Sequence, residues 1–205
     1  VEAGDYEAVL SWDDMNFEGV VDYQYDNDIL NENGGISLSS EDAIAWAGAT
    51  INTPGESNVQ SVSVFNINEP GVVVDIAAFG TFGTAINTTP THLETVTLYD
   101  YGWNSFDVDW DINGLFVIGH SFTHSNAAVL DQTASPSNYS MVLLGDSWDL
   151  WSDVASSNGS IDGEWGIRAT VEQESANVTY NIYRDENLLA WGLDENGFSD
   201  QEINY

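Results

Sequence analysis

The stretch Phe106-Asp107-Val108-Asp109-Trp110-Asp111-Ile112 alternates strictly between apolar and acidic residues. Successive side chains of a β-strand point to opposite faces, so the apolar residues share one face and the three aspartates share the other, each about 7 Å from the next. This pattern is typical of a strand with one face in a core and the other in water. It predicts that the chain is built from β-sheet.

Similar segments recur along the chain, and helical signals are scarce. Residues Ser39–Asp42 followed by Ala43–Ala47 fit either a capped helical turn or a strand with Ile44 and Trp46 facing inward, and we favour the strand. Clusters of Gly, Asn, Asp, Ser and Pro separate the strands at the spacing of an all-β sandwich. The further strand candidates are 61–66, 72–79, 93–99, 115–122, 127–130, 139–144, 165–171 and 178–184.

Charge limits the partners of this chain. It has 205 residues with two basic against 34 acidic side chains and a formal net charge of −32, and it contains no lysine and no cysteine. Nucleic-acid binding needs Lys and Arg to neutralise phosphates, and an anionic lipid surface would repel the chain. Metal cations, neutral sugars and other proteins remain as partners. No apolar run approaches the roughly 18 residues that span a bilayer, so membrane insertion is not expected.

Three segments carry a family resemblance: Trp103–Phe106, Gly114–His120 and Gly163–Ala169. They resemble the jelly-roll domains, of the galactose-binding or MAM-like kind, of large surface and secreted proteins that Gram-negative bacteria export by the type IX pathway. The segment Val178–Ala190 resembles the entry into the fibronectin-type-III-like modules that follow such domains in gingipain-like adhesins. The resemblance implies an all-β jelly-roll β-sandwich over residues 1–173 and a secreted or bacterial cell-surface location.

The remaining residues, 174–205, are too few for a fibronectin-type module, which needs about 100 residues. They form a partial fibronectin-III-like segment or a strand-exchange tail. Three explanations stay open: the chain is one piece of a longer protein, the tail packs back on the sandwich, or it pairs with a neighbouring subunit by strand addition.

The histidines do not predict an active site. His120 and His124 lie in a strand-like run and would be about 13 Å apart, too far to share a zinc ion. The segment Gly119–Thr123 approaches the G-x-S-x-G nucleophile elbow, but Thr123 replaces its second glycine and no βα alternation surrounds it. We expect no enzymatic activity and no catalytic residues.

Carboxylates predict a structural calcium ion, because hard cations take several oxygen ligands. In jelly rolls of the resembled kind an early and a late aspartate meet at one calcium. By that resemblance the ligands are Asp14 and Asp131, with Asp13 and Asp28 as further candidates.

The eight tryptophans suggest carbohydrate as a second class of ligand, since exposed aromatic faces stack on sugar rings. Trp148 and Trp151 lie beside acidic residues and are the candidate sugar-binding pair, whereas alternation places Trp46, Trp110 and Trp165 in the core.

Together these features predict a non-catalytic extracellular structural or adhesive module, in one version a subunit of a surface filament that self-associates through its C-terminal strands. The alternative is a carbohydrate-binding accessory domain of a secreted hydrolase or protease.

Overall fold

The fold is all-β, as the sequence predicts. The computed structural model describes residues 6–11, 19–30, 32–83, 85–135, 137–173, 180–184, 187–193 and 197–203. One short helix, α1 (Trp151–Asn158), and a 3-10 turn at Glu32–Gly34 accompany the strands. The strands are β1 (Tyr6–Ser11), β2 (Gly19–Gln24), β3 (Gly35–Ile36), β4 (Ala45–Asn66), β5 (Val72–Phe82), β6 (Ala85–Ile86), β7 (His92–Leu98), β8 (Gly102–Phe122), β9 (Ala128–Asp131), β10 (Ser140–Leu144), β11 (Ser147–Leu150), β12 (Glu164–Trp165), β13 (Ile167–Gln173), β14 (Tyr180–Arg184), β15 (Asn187–Leu193) and β16 (Gly197–Ile203).

Two compact units divide the chain: Gly19–Glu174, and the two chain ends, Val1–Glu18 with Ser175–Tyr205. In the unit formed by the ends, β1 pairs with β16 in antiparallel fashion, and β14 pairs with β15. The N-terminal strand, which the sequence analysis assigned to the jelly roll, therefore pairs with a strand of the 174–205 tail.

Two long antiparallel strands, β4 with 22 residues and β8 with 21, organise the larger unit. Their pairing is interrupted between Asn52 and Glu56. Pro54 and Gly55 lie in that gap on β4, and on β8 Gly114 has a φ of 67°. This left-handed conformation suits glycine and marks the point where both strands change course.

The interruption separates the sheet into two parts that we name by their strand number. The six-stranded half has the order β11-β10-β4-β8-β5-β7 and uses the first part of β4 and the last part of β8. The four-stranded half has the order β2-β13-β4-β8 and uses the other parts of the two long strands. A smaller sheet, β12-β9-β3, completes this unit.

Both halves supply apolar side chains to one core, as in a β-sandwich. Ala47, Ile51 and Phe116 come from the six-stranded half, while Val62 and Ile167 come from the four-stranded half. Each of these five is at most 1% exposed. Burial on this scale is the main term that stabilises the unit.

The predicted alternation of 106–112 is confirmed: its aspartates are exposed, Trp110 is buried, and the other apolar residues are half-buried. The segment before Ala47 forms a strand as favoured, beginning at Ala45. Its orientation differs from the prediction, because Ala45 and Ala47 face the core while Ile44 is 66% exposed. Trp46 consequently lies on the outer face of the six-stranded half.

The helix α1 was not anticipated from the sequence. Trp151 and Ala155 are its buried residues, and Gly159 ends it with a φ of 72°, donating its N–H to the carbonyl of Ala155. No helix in the described part of the chain is long and apolar enough to cross a bilayer.

Candidate functional site

Asp131, a predicted calcium ligand, ends β9 with its side chain buried. Its Oδ1 accepts hydrogen bonds from the backbone and hydroxyl of Thr133, at 2.8 and 2.7 Å, and from the N–H of Ala134. Its Oδ2 accepts from the N–H groups of Asn27, at 2.7 Å, and Ile29. Burial alone would raise the pKa of Asp131, but these hydrogen bonds outweigh it and lower that pKa below the ordinary value.

Asp28 is the second predicted ligand among the described residues. It lies between Asn27 and Ile29, whose backbone N–H groups donate to Asp131. The guanidinium of Arg168 bonds both Asp28 and Asp26, and the hydrogen bond from Arg168 lowers the pKa of Asp28. The same guanidinium lies 4.0 Å from the ring centroid of Trp103. Sequence reasoning missed this arginine as a partner of the loop, although the chain has only two arginines.

These carboxylates do not fit the predicted calcium site. Five protein donors already use the lone pairs of Asp131, and the guanidinium of Arg168 already bonds both Asp26 and Asp28. Among the described residues no group of three or more His, Cys, Asp or Glu side chains is placed to hold a metal ion. Asp13 and Asp14 lie outside the described residues.

The predicted sugar-binding pair is separated by the structure. Trp151 is 3% exposed, packs against Trp165 with ring centroids 4.8 Å apart, and donates its indole N–H to the carbonyl of Ile161. It lies in the core because it begins α1 instead of continuing strand β11, so it offers no ring face to a ligand. Trp148 is half-buried and remains a candidate.

Trp148 belongs to an aromatic cluster on the outer face of the six-stranded half. Phe79 lies at its centre and is fully buried, and the rings of Trp46 and Trp148 meet it edge-to-face at centroid distances of 5.0 and 4.9 Å. The Trp148 ring lies over Gly48, where an added methyl group would come within 3.0 Å of it. We name these three rings the aromatic cluster. Both tryptophans are half-buried, so each presents part of its ring to solvent.

Several apolar residues support the aromatic cluster from the sheet below. They form a second, smaller hydrophobic core on the outer face: Ala77, Val117, Met141 and Leu143 are buried there, with Ile86 and Leu150 partly buried. The indole N–H of Trp148 donates to the carbonyl of Asn87 at 2.9 Å, which fixes the plane of its ring. A fixed, partly exposed ring is suited to stacking on an apolar ligand surface because little conformational entropy is lost on binding.

Sequence reasoning found Trp148 but missed Trp46. Alternation assigned Trp46 to the core together with Ile44, whereas in the structure the neighbouring residues Ala45 and Ala47 face the core. The sequence does contain a signal for the outward position of Trp46. Every second residue from position 45 is small or apolar, which gives one continuous core face: Ala45, Ala47, Ala49 and Ile51. The residues between them form the opposite face: Trp46, Gly48 and Thr50.

The aspartates of 106–112 lie on the outer face of the four-stranded half. Asn58 donates from Nδ2 to Asp109 at 2.8 Å and to Asp111 at 3.1 Å, and Gln60 bonds Glu172. All three of these hydrogen bonds are exposed to solvent. This face is a solvated polar surface.

The three histidines have different environments. His120 is 3% exposed, its Nδ1 lies 3.1 Å from the carbonyl of Ser121, and burial lowers its pKa to about 4. His92 stacks on Trp110, and His124 bonds the carbonyl of Leu38. The nearest hydroxyl to His120 in sequence, that of Ser121, accepts a hydrogen bond from the N–H of Asp75.

Comparison with known proteins finds similarity in structure only. No protein-family model matches the chain, and no curated protein matches its sequence. The clostridial cysteine protease Cwp84 after propeptide cleavage is similar with a TM-score of 0.55 and 13% identity, covering 76% of this chain. A structure of the cysteine protease and lectin-like domains of Cwp84, a surface layer associated protein of Clostridium difficile, gives 0.52 and 12% over 64%. This chain spans 40% and 32% of the length of those chains, and at such identity the likeness shows the β-sandwich fold alone.

Proposed function

We propose that this chain is a non-catalytic module of a secreted or surface protein, and that the outer face of its six-stranded half binds carbohydrate. The observation that carries the proposal is the aromatic cluster, in which Trp46 and Trp148 flank Phe79 and each leave part of a ring in solvent. Ligand sites combine aromatic or apolar surface with a few placed polar groups. The apolar faces of pyranose rings match such a surface.

The charge of the chain supports an uncharged ligand. A net charge of −32 favours partners that are neutral or cationic and disfavours anionic ones. The aromatic cluster itself is built from uncharged side chains, so desolvating it on binding costs little.

The structural likeness to Cwp84 supports an accessory role. That protein is associated with a surface layer, and its structure joins a cysteine protease domain to a lectin-like domain. By analogy the present module would attach to a larger extracellular protein and place it on a glycan, while chemistry resides elsewhere.

The test is binding of soluble polysaccharides to the full chain, followed by tryptophan fluorescence and calorimetry. We expect binding that weakens at least tenfold in Trp148→Ala and in Trp46→Ala. The matched control is Tyr99→Ala, since Tyr99 is an aromatic residue that is 70% exposed and directly follows β7. Loss of binding in the control as well, or no binding by the unmodified chain, would reject the proposal.

A second candidate is a structural or adhesive subunit that self-associates through its terminal strands. The pairing of β1 with β16 favours it, because a strand from one end of a chain that pairs with the other end can be exchanged between copies. Light scattering at rising concentration tests this candidate. Oligomers that disappear when residues 1–11 are removed support strand exchange, and a monomer at every concentration rejects it.

A further inference from the structure

A polar strip lies beside the aromatic cluster on the same face of the sheet. Trp46 in β4 is directly opposite Ser121 in β8, and the hydroxyl of Ser121 accepts a hydrogen bond from the N–H of Asp75 in β5, at 2.9 Å. Asp75 is opposite Thr95 in β7, whose hydroxyl donates to Oδ1 of Asp75 at 2.6 Å. Residues directly opposite each other in a ladder share a face. One row therefore crosses four strands from Trp46 to Thr95.

The same row continues on the other side of Trp46 as an apolar strip. Leu143 in β10 is opposite Trp46, and Trp148 in β11 is opposite Leu143. The complete row is amphipathic. One end has the aromatic rings of Trp46 and Trp148 beside the buried Leu143, and the other end has the carboxylate of Asp75, which is hydrogen-bonded to the hydroxyl of Thr95. We name it the cross-strand row; its members are Trp148, Leu143, Trp46, Ser121, Asp75 and Thr95.

Two hydrogen-bonding groups in the cross-strand row have no partner among the described residues. Within the described part of the chain, the one hydrogen bond to the Asp75 carboxylate goes to Oδ1, so Oδ2 accepts none there. The indole N–H of Trp46 also donates to none of the described residues, unlike those of Trp110, Trp148, Trp151 and Trp165. Among the described residues neither group is a fully buried polar atom, so both have some access to solvent.

We propose that the cross-strand row recognises neutral or amino-sugar oligosaccharides and rejects acidic ones, a specificity that rests on the carbohydrate binding proposed above. A pyranose ring stacks on the face of Trp46. The indole N–H lies in the plane of that ring and therefore donates to a hydroxyl oxygen of the next sugar, while a hydroxyl or ammonium group of the same next sugar donates to Oδ2 of Asp75. A bond to an ionised acceptor is stronger than one between neutral groups.

The spacing sets a minimum ligand length. Trp46 and Asp75 are two strands apart, which is about 10 Å across the sheet. This distance is longer than one pyranose ring, so the ligand is at least a disaccharide.

The negative charge of the cross-strand row disfavours acidic oligosaccharides relative to neutral ones. Asp75 is its one ionisable side chain. Arg168 lies on β13 in the other half, where it is bound to Asp26 and Asp28. A uronate or sulfate group on the ligand would lie beside the carboxylate of Asp75 without a cation to neutralise either charge. Repulsion between these like charges weakens binding of the acidic ligand and leaves binding of a neutral ligand largely unchanged.

The test is calorimetry of the full chain with four oligosaccharides: cellohexaose and maltohexaose as neutral probes, a glucosamine hexamer as a cationic probe and an oligogalacturonate as an anionic probe. We expect binding of at least one neutral or cationic probe and none of oligogalacturonate. Asp75→Asn, which keeps the shape of the side chain and the bond from Thr95, should weaken binding about tenfold, as expected for loss of one bond to a charged acceptor. Trp46→Phe, which keeps an aromatic ring beside Phe79 but removes the N–H, should also weaken binding.

The matched control is Asp109→Asn, an exposed carboxylate on the four-stranded half, which should bind as the unmodified chain does. Asp75→Asn binding like the unmodified chain while Trp148→Ala loses binding would overturn this inference and leave the proposed function intact. Equal binding of oligogalacturonate and a neutral probe would also overturn it. Failure of the unmodified chain to bind any of the four oligosaccharides overturns both.

Discussion

Arg168 makes a two-point contact with Asp26: Nε donates to Oδ2 at 3.0 Å and Nη2 donates to Oδ1 at 2.5 Å. The Asp26 side chain is completely buried, whereas that of Arg168 is 24% exposed. A buried carboxylate is tolerated only when its charge is matched and its oxygens are hydrogen-bonded. The contact joins the loop after β2 to strand β13, so it closes one end of the four-stranded half.

Replacing Arg168 by methionine should destabilise the chain by about 3–5 kcal/mol, because it leaves the carboxylate of Asp26 buried without a cation, with only the uncharged N–H groups of Asp28 and Gln24 as donors. Urea unfolding monitored by tryptophan fluorescence measures the change. Thr170→Val on the same strand is the control. It removes an exposed hydrogen bond to Asp22, so the cost should be about 1 kcal/mol or less. Equal effects of the two changes would show that Asp26 needs no cation.

Asp131→Asn should also destabilise the fold, although the two side chains have the same shape. Asp131 accepts bonds from five donors, and an asparagine amide would turn its own donors toward some of them. We expect a loss of about 3 kcal/mol, from the cost of leaving buried groups unpaired. Asp107→Asn, at an exposed aspartate of β8, should change the free energy of unfolding by no more than about 0.5 kcal/mol.

The acid sensitivity of the fold should depend on Asp131 in a defined pH range. Its pKa in the folded chain lies below the ordinary value, so it binds a proton more weakly than the unfolded chain does. Its contribution is therefore present above a pH of about 4, the unfolded pKa, and is lost as the pH falls through the folded pKa. Comparing unfolding of the unmodified chain and Asp131→Asn between pH 5 and pH 2 checks this. The difference between them should shrink toward acid pH, and a constant difference would contradict the assignment.

The strands could be predicted from the sequence because alternation and turn residues are local signals. The limits of β4 could not, since Pro54 and Gly55 read as a turn while the ladder with β8 resumes beyond them. The helix α1 was missed because Trp148 and Trp151 were interpreted as an exposed sugar-binding pair. Trp151 is buried against Trp165, and this tertiary contact stabilises the helical conformation at Trp151. The contact joins residues 14 positions apart, so no local sequence pattern predicts it.

The candidate sites, like the strands, could be predicted from the sequence only in part. The family resemblance implied Asp14 and Asp131 as the calcium ligands, with Asp28 as a further candidate, and the structure does bring the loop of Asp28 to Asp131. The contact is made by the backbone N–H groups of Asn27 and Ile29, which donate to Asp131, and Arg168 bonds Asp28. Those donors come from residues about 100 or more positions away in the chain, and sequence alone gives no means of pairing them.

His120 should make stability fall between pH 6.5 and pH 4. Burial holds its folded pKa at about 4, so the unfolded chain, with a pKa near 6.5, binds a proton that the folded chain does not. Its contribution is complete above a pH of about 6.5 and is lost as the pH falls toward 4. At about 1.4 kcal/mol per pKa unit, this amounts to about 3 kcal/mol. The free energy of unfolding of His120→Leu should be flatter over this range.

Ala47→Gly provides the control for the His120 measurement. Ala47 is fully buried and directly opposite His120 in the ladder, so its truncation weakens the same region without removing a titrating group. We expect a lower free energy of unfolding with the slope of the unmodified chain retained. A flattened slope in this variant would show that loss of packing, and not titration of His120, causes the pH dependence.

Gly48→Ala should disturb the aromatic cluster directly. The added methyl group would clash with Cγ1 of Val117 and lie 3.0 Å from the ring of Trp148, and neither neighbour can move without leaving the second hydrophobic core. Overpacking of this kind costs about 1–3 kcal/mol. Gly80→Ala is the matched control, since its methyl group would meet Thr91 at an ordinary 3.5 Å. Unfolding and oligosaccharide binding of both variants check the prediction: Gly48→Ala should lose stability and affinity together because both depend on where Trp148 lies. A Gly48→Ala chain that binds sugars normally would mean that Trp148 does not form the binding surface.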